Sequence, residues 1–118
     1  MYFYIILNLK ERVGFGITGS PRKRLKNYTG MWGELASFNY LFEGEPAHIK
    51  RLENIIKKMH SDMIWNVEEW KTEWLNNEHN VDEFYEFVLN DIIKYRNMPI
   101  KLIATDVIFD NDMKKGYK

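Results

Sequence analysis

Three residue types in the first half of the chain suit work on a phosphate ester. They are the phenols Tyr2, Tyr4 and Tyr28, a basic run Arg22-Lys23-Arg24 with Lys26, and the carboxylate Glu53 in a Lys/Arg-rich segment. Arginine offers a planar, permanently charged fork that fits tetrahedral oxygens. A carboxylate can hold a hard cation such as Mg²⁺. A phenol accepts a proton from water only where its pKa is drawn below about 10. Cysteine is absent, which excludes disulfides, thiolate zinc sites and thiol nucleophiles. His48 and His60 lie twelve residues apart with no HExxH pattern, so they read as exposed polar residues rather than zinc ligands.

Each of these residues also has a plainer reading. Tyr2 and Tyr4 alternate with Phe3 and could pack one side of a half-exposed strand, and Arg24 sits in a run that could be simply solvated. Glu53 has Lys50 and Lys57 at helical spacing and could be a surface ion-pair partner. The charge distribution sharpens the choice. The formal net charge is zero, yet residues 1–30 hold six Lys/Arg against one acid, whereas residues 61–90 hold one Lys against eight acids. Any phosphate-facing surface is therefore expected in the first third.

A set of short elements must position these groups. Tyr2 to Asn8 and Val13 to Thr18 read as strands joined by the polar turn Lys10-Glu11-Arg12, an antiparallel hairpin. Gly14 and Gly16 weaken the second strand unless something approaches its backbone. Ser20-Pro21 starts a helix that should run to Tyr28 and end at Thr29-Gly30. Leu35 to Phe42 reads as a third strand. A second helix should run from Glu45-Pro46 through His60, with Ile49, Leu52, Ile55, Ile56 and Met59 on one face. Trp65 to Asn77 reads as a third helix or an irregular segment. There the Trp65, Trp70 and Trp74 cluster is core or, alternatively, a partner surface. Asn80 with Glu83 opens a helix to about Arg96, and Ile100 to Phe109 is a last strand.

At 118 residues this is expected to be one domain, with a core over about 1–66 and an extension over 67–118. The expected fold class is α+β. A small central three-stranded antiparallel sheet would be flanked by helices, with a helical C-terminal extension and an extra strand as an option. The longest uncharged apolar run, Met1 to Leu9, is far too short to span a bilayer, and a cytoplasmic protein without membrane association is expected.

The string YFYIILN, then VGFGIT, then GSPRKRLKNY, then a strand and a helix containing RLENII, resembles the GIY-YIG nuclease family, in its divergent, phage-type branch. The likeness covers roughly residues 2–66. It implies a Mg²⁺- or Mn²⁺-dependent DNA endonuclease, plausible in a phage or mobile element. Tyr4 would activate or position water, Arg24 would hold the scissile phosphate, and Glu53 would bind the metal. Tyr28 falls where many members place His or Tyr. Gly16 keeps the family glycine and leaves room for the phosphate, while Gly14 replaces a tyrosine. Arg22, Lys23 and Lys26 would contact the substrate backbone, with His48 and Asn66 as accessory candidates. The implied partners are DNA and, as an open option, a second copy of the chain. The alternative is a fold of this type without effective chemistry, binding DNA or a protein.

Overall fold

In the computed structural model, residues 1–8, 11–33, 36–59, 61, 72–75 and 79–108 are described. Strand β1 (Tyr2–Leu7) turns into β2 (Val13–Thr18) as an antiparallel hairpin with Tyr4 opposite Gly16 and Ile6 opposite Gly14. Asn8 closes the turn. Its carbonyl accepts from the Glu11 amide at 2.9 Å, and its Oδ1 accepts from the Arg12 amide at 2.9 Å. Glu11 takes φ 59°, the left-handed conformation that this tight reversal requires of a residue with a Cβ.

Helix α1 (Pro21–Trp32) begins as its sequence dictates. The Ser20 hydroxyl accepts from the Lys23 amide, and Pro occupies the first turn, where no donor is needed. It does not stop at Gly30. It runs four residues beyond Tyr28 and ends at Gly33, whose φ of 74° and amide bond to the Thr29 carbonyl make the left-handed cap. Gly30 is tolerated within the helix, so the later glycine supplies the stop.

Strand β3 (Ser37–Glu43) pairs with β1 on the side away from β2, and α2 (Pro46–Met59) follows. In α2, Ile49, Leu52 and Ile56 are buried, whereas Met59 is exposed. The expectation of a helix or irregular stretch over Trp65 to Asn77 is corrected at its described part. Thr72–Trp74 is a short strand, β4, paired antiparallel to β2. Asn80 caps α3 (Val81–Glu86) by accepting from the amides of Asp82 and Glu83. The helix then widens into a π-helical segment, Phe87–Lys94, followed by β5 (Lys101–Ile108) on β3.

The fold is α+β, but the sheet has five antiparallel strands rather than three, in the order β4-β2-β1-β3-β5. The added strands come from the C-terminal half and cover both edges of the hairpin-plus-β3 unit. Because β1 is central, it is buried on both faces. Phe3 and Ile5 join Phe15, Phe42, α2 and the α3–π segment in one core cluster. Tyr4 and Ile6 join Leu25 and Tyr28 of α1, with Phe38, Leu41 and Trp74, in the other. Alternation along β1 thus divides the molecule into two faces, α1 on one and α2 on the other. No described helix is long and apolar enough to cross a membrane.

Candidate functional site

On the α1 face, three strands place three residues in a row. Tyr4 of β1 is opposite Gly16 of β2, and Gly16 is opposite Thr72 of β4. Gly16 has no side chain, so the Tyr4 phenol and the Thr72 hydroxyl meet above it, 2.5 Å apart. Tyr28, reaching down from α1, also hydrogen-bonds the Thr72 hydroxyl. Tyr4, Tyr28 and Thr72 are all fully buried. Arg24, one helical turn before Tyr28 and half-buried, donates from Nη1 to the Tyr4 hydroxyl at 2.9 Å. Its guanidinium also lies 5.8 Å from the centre of the Tyr4 ring.

The outcome is a buried chain of hydroxyls ending in a held guanidinium. Burial pushes both phenols above their ordinary value. The Arg24 charge opposes this for each without cancelling it, and for Tyr28 the neighbouring Tyr4 raises it further. A neutral phenol shut away from water fixes its neighbours and does not deprotonate a solvent molecule. Both phenols should therefore resist titration while the fold persists. Because their folded pKa values are raised, the stability they confer is fully present below about pH 10 and is lost as pH rises beyond that, when only the unfolded chain can release the protons. These two groups together should lower the unfolding free energy by about 2.7 kcal/mol per pH unit above about pH 10, and Tyr40, raised by burial and by its bond to Asp82, adds to that slope. Urea titrations between pH 9 and 11.5, with absorbance at the tyrosinate band, check this. Gradual ionisation of all tyrosines near pH 10 without unfolding would contradict it.

At Gly14, where the resemblance to GIY-YIG nucleases would place a tyrosine, the space for a side chain is taken by Trp74. A Cβ at Gly14 would lie 2.5 Å from the Trp74 ring and 2.8 Å from the Thr72 methyl. The indole occupies the space above Gly14. This is the close approach that a strand glycine signals, and here it comes from β4.

Glu53 is placed elsewhere. It sits in α2, on the opposite side of the sheet from Tyr4, and is 8% exposed. Lys57 lies 3.7 Å from its Oε1 and 3.0 Å from Oε1 of Glu73. Glu73 is paired with Phe15 and so points to the α2 face, while Thr72 and Trp74 beside it point to the α1 face. The fold thus brings Tyr4, Arg24 and Tyr28 together and separates them from Glu53 by the sheet. As arranged, the described residues at Glu53 do not fit a divalent metal, because an ammonium already stands between the two carboxylates. Among the described residues there is no group of three or more His, Asp or Glu side chains suited to one.

Arg22 is half-buried, and Lys23 and Lys26 are exposed along α1. His48 is on α2, half-buried near Glu43, Glu45 and Lys101, apart from Glu53's ion pairs. Asn66, His60, Trp65 and Trp70 lie outside the described residues, while Trp74 is core. Sequence reading missed Thr72 and Glu73. The alternation Thr72-Glu73-Trp74 was the available signal, but three residues are too few to distinguish a strand. Comparison with family models, with characterised proteins and with solved structures finds no match.

Proposed function

We propose that this chain is a DNA-binding domain on a nuclease-like scaffold, gripping the phosphodiester backbone with Arg24 and the basic side of α1. The observation that carries this reading is the Arg24 seat. A buried phenol, itself held by Thr72, accepts from one guanidinium nitrogen and so fixes where the charge sits at the surface of α1. Preorganisation of this kind lowers the entropy lost when a phosphate binds. Helix α1 adds Arg22, Lys23 and Lys26 and contains no acid. Arg24→Gln should weaken duplex binding about tenfold and lower the salt slope by about 0.9. Fluorescence anisotropy across a salt series checks this, and an unchanged affinity and slope would refute it.

Metal-dependent DNA cleavage is the second reading, with Tyr4, Arg24, Tyr28 and Glu53 as its residues and Mg²⁺ or Mn²⁺ as cofactor. One observation favours it: Tyr4 of β1 and Arg24 and Tyr28 of α1 share one hydrogen-bonded group with Thr72 of β4. The position of Glu53 beyond the sheet is why it comes second. Supercoiled plasmid incubated with the protein separates the two. Binding indifferent to divalent cations, with no nicking at enzyme excess, supports the binder. Mg²⁺-dependent nicking lost in Glu53→Ala supports the nuclease.

A further inference from the structure

Helix α2 has a second basic surface, unconnected to Arg24. Its outward face lines an open groove with Lys50, Arg51, Asn54, Lys57 and Lys58, joined by Ser61 just beyond the helix, and contributes no acid to it. Lys57 is engaged by Glu53 and Glu73. Lys50, Arg51 and Lys58 are exposed and, among the described residues, make no ion pair. Such a concentration of unneutralised charge is conspicuous in a chain of zero net charge.

The spacing suits a polyanion. Lys50–Arg51 and Lys57–Lys58 are seven residues apart, about 10 Å along the helix axis. That matches about three nucleotide steps of one duplex strand. A lipid surface fits less well, because the apolar face of α2 (Ile49, Leu52, Ile56) is fully used by the core. The surface also faces away from α1, with the sheet between. A straight duplex lying along one face does not reach the other.

We infer that the outward face of α2 is a second phosphate-binding surface, through which one protomer joins two DNA segments. This rests on DNA being the partner, as proposed above, but uses none of the Arg24 seat.

The test is capture of a fluorescent duplex by protein bound to a biotinylated duplex on beads, with single-duplex affinity measured in parallel. K50Q/R51Q/K58Q should reduce capture about tenfold while the protein still binds one duplex through α1, and the salt slope of the α2 interaction, measured in an R24Q background, should fall by about 2.7. All three residues are exposed, so folding should be retained, which circular dichroism verifies. Unchanged capture in the triple variant overturns the inference, as does no capture by the parent protein. Capture that survives the triple variant and follows a dimer in sedimentation assigns bridging to a second copy and also overturns it. So does a triple variant that loses binding to anionic vesicles while DNA capture is unaffected. Adding R24Q to the triple variant separates the two readings: unchanged single-duplex binding there means that the α1 reading fails and the first surface lies elsewhere, while loss of capture in the triple variant still assigns the second surface to α2.

Discussion

Any side chain introduced at Gly14 should destabilise the protein by about 3 kcal/mol, more than conversion of most surface positions would. Its Cβ would lie 2.5 and 2.6 Å from two carbons of the Trp74 ring. That ring cannot swing outward without loss, because it is 3% exposed and packs edge-on against Tyr28 with centroids 6.3 Å apart. The backbone at Gly14 is also held on both sides, by Ile6 of β1 and Trp74 of β4. Gly14→Ala is the mildest probe, and Gly14→Tyr, which supplies the tyrosine found in the resembling family, should be worse. The measurement is urea denaturation of both variants. Coupling provides the internal control: with Trp74→Ala already made, adding Gly14→Ala should cost far less than it does in the parent. Equal costs in the two backgrounds would mean that the indole is not what excludes a side chain here.

The second large effect is expected at Thr72. Thr72→Val keeps the shape and removes the hydroxyl that both Tyr4 and Tyr28 engage. Each phenol, with no exposure to solvent, then loses one hydrogen bond, while Tyr4 keeps the one from Arg24. A buried hydrogen bond contributes about 0.5–1.5 kcal/mol, so the loss of two predicts a destabilisation of about 2 kcal/mol. Thr72→Ser restores the hydroxyl and should recover most of it. The same substitution should loosen the Arg24 seat, because Tyr4 is then held at one end only. Denaturation curves of the Val and Ser variants decide the matter. Equal stability in both would show that the hydroxyl contributes nothing and that the network is incidental to the fold.

The metal question turns on the same strand. β4 sends Thr72 to the hydroxyl chain and Glu73 to Lys57, so one three-residue segment serves both faces. That division separates the Arg24–Tyr4 pair, on the α1 face, from the carboxylates on the α2 face. It also gives Gly14 its meaning. Where the resembling nucleases have a phenol, this chain has a glycine beneath an indole.

Local chemistry was legible where neighbours in sequence decide it. Ser20-Pro21 starts a helix because a hydroxyl and a donor-free residue satisfy the first turn by themselves. The Asn80 cap, the β1–β2 hairpin and the buried stripe of α2 follow likewise from period and turn residues. The resemblance implies that Tyr4, Arg24 and Glu53 converge; Tyr4 and Arg24 do meet, with Tyr28, but Glu53 does not join them. Tertiary structure alone decided that β4 and β5, drawn from distant sequence, would close both edges of the sheet. It alone put Glu53 across the sheet from Arg24. An amphipathic pattern states which side of a helix is buried, but not which face of a sheet receives it. That choice depends on how the chain crosses over and on what already covers each face, and neither quantity is local.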